Sequence, residues 1–212
     1  MGYWLHAKSQ IPMKIFALRG VNTTKGMYTA EPSQLISDCI AGDDRSIETL
    51  VRQYETDVFR LALSIVGEAG EANEVMQETF IAALKSLGTY RERSSFKAWL
   101  FTIAVNISRS HLRRRKALER LKTTLTAIFQ VDSQKQVLPE DLVIQNETEA
   151  TVWKSLNRLD EKHRMVVLLR YFHDLSISEI SEILSVNEGT IHSRLYNARE
   201  KLRTALSQLH GE

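Results

Sequence analysis

The sequence predicts an all-α protein of two helical domains joined by a flexible linker, and three observations carry that prediction. Apolar residues recur at three- and four-residue spacing through 31–116 and again through 148–210, the period of a half-buried helix. Strand-like alternation is missing from both stretches. Between them, residues 117–147 lose the period and gather β-branched, Gln and acidic residues around Pro139, the composition of a linker with one short helix at its start.

The elements follow in order. Residues 1–30 show no sustained period and read as a disordered extension; patterned sequence begins only after Met27, which is placed to be the natural start. Ser33 is placed to cap a short helix with Leu35, Ile36, Cys39 and Ile40 inward and its end near Gly42. Asp44 opens a longer helix in which Ile47, Leu50, Val51, Tyr54, Val58, Leu61, Ala62 and Ile65 keep the spacing as far as Gly67. A third helix runs from about Glu71, with Val75, Met76, Thr79, Phe80, Ala83, Leu84 and Leu87 on one side, and stops at Gly88. Residues 89–94 form a loop, and Ser95 starts a fourth helix. Its buried stripe is Phe96, Trp99, Leu100, Ile103, Ala104 and Ile107, and the helix runs on into the basic stretch Leu112–Lys116. After the linker the pattern resumes with Val152, Trp153, Leu156 and Leu159, then Val166, Leu169 and Phe172.

At 212 residues, 43% hydrophobic and 25% charged, the chain has enough apolar content for a real core and too little bias for wholesale disorder. Its single cysteine, Cys39, excludes a disulfide scaffold and any multi-cysteine zinc or iron–sulfur site. Apolar neighbours at helical spacing make it a buried, inert thiol. No apolar run approaches the ~20 residues that span a bilayer, and the N-terminus has no signal-peptide core. The expectation is a soluble, cytoplasmic protein with no direct membrane insertion. The HExxH, GxxxxGK[ST] and GxGxxG motifs are all missing, and His163 and His173, ten residues apart, do not have metal-ligand spacing. The chain reads as a non-enzyme with no catalytic residue, no metal and no cofactor.

The net charge of +2 conceals segregation. Residues 31–90 carry four basic and eleven acidic side chains, net −7, whereas 91–122 carry ten basic and two acidic, net +8. Residues 123–153 return to net −4. Neighbouring acidic and basic blocks imply separate partners, the basic one polyanionic.

Two constellations sharpen this. Ile177, Ile180, Ile183 and Leu184 make the apolar face of a short helix, Ser185–Gly189 a tight connector, and Ile191, Leu195, Ala198 and Leu202 the buried face of a second helix. That second helix exposes His192, Ser193, Tyr196, Asn197 and Lys201. The pattern is a helix-turn-helix, whose exposed helix fits the major groove with side chains that reach base edges and phosphates. The other constellation interleaves Tyr90, Phe96, Trp99 and Phe101 with Arg91, Arg93, Lys97, Arg109 and Arg113–Arg115, a mixture suited to DNA with unstacked bases. Phe96 and Trp99 lie on the apolar stripe, so core packing is their expected role. The polar loop residues and outward Arg and Asn106 are the contact candidates.

Taken together, these residues resemble the extracytoplasmic-function (ECF) sigma factors of the sigma-70 family. Residues 71–80, EANEVMQETF, are similar to the family's D-A-x-D-x-x-Q-E-x-F signature, and 94–106, SSFKAWLFTIAVN, to its S-F-x-x-W-L-x-x-I-A-x-N segment. Residues 179–194, EISEILSVNEGTIHSR, are similar to its final helix-turn-helix. The resemblance covers about 32–206. It implies a region 2 four-helix bundle over 31–116 and a region 4 helix-turn-helix domain over 148–210. On that footing Glu74, Gln77, Glu78 and Phe80 would bind core RNA polymerase at the β′ clamp, the second domain engaging the β flap. Ser94, Ser95, Lys97, Asn106, Arg109, Arg113 and Arg114 would capture and melt the −10 element of promoter DNA. Thr190, His192, Ser193, Arg194, Tyr196 and Asn197 would read the −35 element, and an anti-sigma factor would hold the protein in check. Departures stand at Glu71 and Glu74, where the family has aspartates, at Ser110 for Asp, and at Asp160 for a frequent Pro. His192 and Asn197 occupy places where members often carry Lys or Arg. The competing reading is a helix-turn-helix regulator that binds DNA without polymerase, but residues 31–116 offer no sensor-domain pattern.

Overall fold

A computed structural model describes residues 32–91, 95–129 and 153–209, with no strand among them. The expected extension over 1–30 lies outside the described residues, as do Ser94 and most of the expected linker. Two compact units emerge, one holding residues 32–129 and the other built on 153–180 and 186–209.

In the first unit, helix ends are set by local chemistry. α1 (Pro32–Ile40) begins on a proline, whose missing N–H costs nothing at a first helical position. Ser33 therefore lies inside the helix instead of capping it. Ile36 and Cys39 are buried, but Ile40 is 56% exposed, against the expectation of an inward side chain. It is the last residue of α1, at the edge of the apolar stripe, just before the chain turns left-handed at Gly42 (φ 85°). α2 (Asp44–Val66) is capped by Asp43, whose Oδ2 accepts the Ser46 backbone N–H at 2.8 Å and its hydroxyl at 2.6 Å. Those bonds, the hydroxyl's first, hold the Asp43 carboxyl below the usual carboxylate range. The helix ends at Gly67 (φ 80°), whose N–H closes onto the Leu63 carbonyl, a conformation that any side chain would strain.

α3 (Ala69–Ser86) starts two residues before its predicted position. The Glu68 carboxylate caps it by accepting the N–H groups of Gly70 and Glu71, both at 2.6 Å. Val75, Thr79, Phe80 and Ala83 are buried as expected, and the Thr79 hydroxyl satisfies itself on the Val75 carbonyl. A single 3₁₀ turn, Leu87–Thr89, follows.

α4 (Phe96–Phe129) is one 34-residue helix. It therefore runs through the first part of the stretch expected as linker, in place of a separate short helix there. Ser95 caps it, its Oγ accepting the Ala98 N–H at 3.2 Å. Besides the expected stripe, it buries Ala98, Phe101 and Val105, because α4 packs against both α2 and α3 and so has two covered faces. Tyr54, Tyr90, Phe96 and Trp99 form a chain of rings with centroids 5.2 to 5.5 Å apart, which assigns Phe96 and Trp99 to packing. The Cys39 thiol is pushed up by burial and, secondarily, by Asp38 and Asp43, which keeps it unreactive as expected.

The second unit opens with α5 (153–157) and α6 (Glu161–Val167), which continues into a π-helical turn, Leu168–Phe172. Trp153 stacks on Phe172 at 5.1 Å, and residues 165–169 are buried without a break. α7 (Ile177–Leu184) and α8 (Glu188–Leu209) complete it, with α6 packed on α8.

Candidate functional site

Three surfaces carry the residues singled out from the sequence. The first is α8. Three residues, 185–187, separate it from α7, and Ser185 takes the left-handed conformation (φ 52°) at the turn. Asn187 caps the new helix: its Oδ1 accepts the Thr190 N–H at 2.7 Å and the Thr190 hydroxyl at 2.8 Å. With Ile191, Leu195 and Ala198 all buried, the 100° step per residue turns His192, Ser193, Tyr196 and Asn197 to solvent together. Tyr196 is 61% exposed, unusual for so large an apolar ring without a partner to meet. Thr190 and Arg194 flank this face half-buried. Replacing Asn187 by Ala should cost the second unit about 0.5–2 kcal/mol, whereas Ser should nearly restore it, because only the cap is lost. Urea denaturation of the two variants measures the difference.

Lys201 behaves differently from its sequence expectation. Its Nζ lies 3.3 Å from His163 Nδ1 and 3.5 Å from Asp160 Oδ2, so it is engaged with the start of α6. Asp160 caps α6, accepting the His163 N–H, and also pairs with the His163 ring. Desolvation raises the Asp160 carboxyl, but the His163 ring and backbone bonds and Lys201 outweigh it and leave it below its ordinary value. The three groups tie the recognition-type helix to α6. An alternation-based reading sees Lys201 on a polar face and misses a partner 38 residues away.

The second surface is α3. Glu74, Gln77 and Glu78 are exposed on one side of it, as expected. Phe80 is not with them: it is 7% exposed and part of the core, so it shapes the helix from behind and offers no surface to a partner. Ile81, 55% exposed, takes its place, completing the spacing 74, 77, 78, 81. The sequence held the signal, since Ile81 falls off the Val75–Phe80–Ala83 stripe.

The third surface is α4. Asn106, Arg109 and Arg113 follow i, i+3, i+7 and share a side; Asn106, Arg113 and Arg114 are exposed and Arg109 is half-buried. Ser95 is exposed but engaged as the cap, and Ser94 lies outside the described residues. Lys97 is committed: its Nζ pairs with Asp57 Oδ2 at 2.6 Å and lies 5.3 Å from the Phe101 ring centroid. Arg115, at the end of the basic run, is also withdrawn. Its Nη1 donates to Glu71 Oε2 at 2.6 Å and to the Val66 carbonyl at 3.0 Å, binding the α2–α3 corner to α4. Beside it the buried His111 ring lies 3.2 Å from Glu78 Oε1.

Among the described residues no group of acidic, His or Cys side chains could hold a metal ion, and no helix is long and apolar enough to cross a membrane.

Comparison with known proteins places these surfaces in a familiar frame. Residues 50–118 match the family model for sigma-70 region 2, and residues 150–202 match that for sigma-70 region 4. The chain is 35% identical over 192 residues to the RNA polymerase sigma-H factor of Pseudomonas aeruginosa, covering 88% of this chain and all of that one. It is 31% identical over 173 residues to the ECF RNA polymerase sigma factor SigW of Bacillus subtilis, covering 79% of this chain and 92% of the relative. Against the ECF RNA polymerase sigma-E factor of Escherichia coli K12 the identity is again 31% over 173 residues, with 79% and 90% covered. Among solved structures, CnrH in complex with the cytosolic domain of CnrY superposes with a TM-score of 0.61 at 23% identity, over 82% of this chain and 96% of that one. The sigma factor RpoE in complex with the anti-sigma factor NepR from Bartonella quintana gives 0.58 at 22% identity, over 76% and 96%. Both share the fold.

Proposed function

Since the chain belongs to the ECF sigma factors of the sigma-70 family, we propose that its first unit docks on core polymerase and takes the −10 element while its second reads the −35 element. The protein is an RNA polymerase sigma factor, a transcription initiation factor that acts by binding. On this reading Glu74, Gln77, Glu78 and Ile81 of α3 meet the β′ clamp, as an acidic face with one apolar anchor. Asn106, Arg109, Arg113 and Arg114 of α4 meet the −10 region, with Ser95 at the helix start; Lys97 and Phe80 support these faces from within. His192, Ser193, Tyr196 and Asn197 enter the −35 major groove, flanked by Thr190 and Arg194. The stretch over 117–147 connects the domains, its first residues as the continuation of α4. The second domain meets the β flap, and an anti-sigma factor, like those bound to the two solved relatives, restrains the protein in the cytoplasm where the polymerase works.

The observation that carries this reading is the pairing of an exposed acidic face on α3 with an exposed basic face on α4, as two partners of opposite charge require. Run-off transcription with purified core polymerase tests the whole. For the clamp face, Gln77→Ala with Ile81→Ala should weaken core binding by ~1–3 kcal/mol while leaving the melting temperature unchanged, because both side chains project outward. Wild-type affinity in a core titration would remove α3 from the interface.

A further inference from the structure

His111 is a titratable side chain buried to 8% exposure that neither DNA face nor the clamp face uses directly. It projects from α4 onto α3. Its Nε2 stands 3.2 Å from Glu78 Oε1, and its Nδ1 3.7 Å from Glu71 Oε1. Glu71 is itself fixed, with a side chain only 15% exposed and held by Arg115 at 2.6 Å. Glu78 is the outermost member of this chain, its side chain 53% exposed. A carboxylate only accepts hydrogen bonds, so Nε2 must carry the proton that joins the pair.

We propose that His111 is a positioning residue for polymerase docking: it fixes the Glu78 carboxylate on the exposed face of α3 before core polymerase arrives. This rests on the reading of that face as the clamp-binding surface. A glutamate on a helix surface otherwise samples many rotamers, and ordering such a side chain at an interface is one of the costs of association. Here a buried ring has already selected the rotamer. One carboxylate oxygen is taken by His111. The other has no partner among the described residues and faces outward for a cationic group of the polymerase.

The test is a double-mutant cycle on the full-length chain, titrated against purified core polymerase. Glu78→Ala should weaken binding about five- to tenfold, as loss of a direct contact. His111→Leu keeps the buried volume and removes the donor; it should weaken binding about three- to tenfold, the cost of ordering Glu78 anew. In the Glu78→Ala background His111→Leu should add less than about twofold, and His111→Gln, which restores a donor, should return affinity to within about twofold of wild type. Circular dichroism melts accompany each variant, with His111→Ala substituted if leucine does not fit. Independent, multiplying effects of the two replacements, or wild-type affinity in His111→Leu, overturn the positioning role. Wild-type affinity in Glu78→Ala alone overturns instead the placement of Glu78 at the clamp, and the proposal with it.

Discussion

With Arg113 and Arg114 both changed to alanine, the holoenzyme should bind promoter DNA more weakly whatever its sequence, and the salt slope should fall by up to about two units. Both guanidinium groups are exposed on α4 beyond its last buried residue, Leu112, and neither meets a carboxylate among the described residues. Arg115, one position on, is held by Glu71 and Val66 and is left out of the replacement for that reason. Each lost phosphate contact removes roughly 0.9 from the slope of log affinity against log salt. Between 50 and 200 mM salt the double variant should therefore lose about tenfold less affinity than wild type loses. Fluorescence anisotropy on a labelled promoter over that range reads the slope. A change confined to particular base positions, with the slope intact, would make these arginines readers of sequence instead of anchors on the backbone.

Ile191→Ala should be the most damaging single change in the second unit. Ile191 is fully buried in the first turn of α8, and removing its branched side chain costs about 2–5 kcal/mol. A domain of this size has little stability to spare. The expected phenotype is selective: −35 recognition collapses while the chain still binds core polymerase through α3. Core binding lost in parallel with −35 recognition would show that the two units do not fold independently.

Helices and turns were legible because they rest on local chemistry. The 3/4 spacing, Gly42, Gly67 and the Asn187 turn each act within a few residues, and the structure places them as read. What escaped was chosen at long range. Lys97 looked like a phosphate anchor until Asp57, 40 residues earlier, claimed it; Arg115 looked like part of a basic tract until Glu71, 44 residues earlier, did the same. Periodicity says which way a side chain faces and leaves open what another helix will place opposite. Phe80 is the converse error. It sits within a motif associated with partner binding, yet its phase on α3 matches Val75 and Ala83, and phase prevailed. The full length of α4 was hidden because the run after Leu112 lost its apolar period while remaining good helix-forming sequence.

The π turn at Leu168–Phe172 bears on how the reading helix is aimed. His173 donates back five residues to the Leu168 carbonyl at 3.2 Å, so this turn holds one residue more than an α-helix would. Such a turn is the footprint of a single inserted amino acid absorbed without breaking the rod. Taking one residue out of 168–172 should let the ladder close at its ordinary pitch and swing everything downstream by about 100° about the axis. Evolution thus has a coarse dial upstream of the DNA-facing surface: a one-codon change in length, far from any base, reorients the entire side-chain array that His192 to Asn197 present.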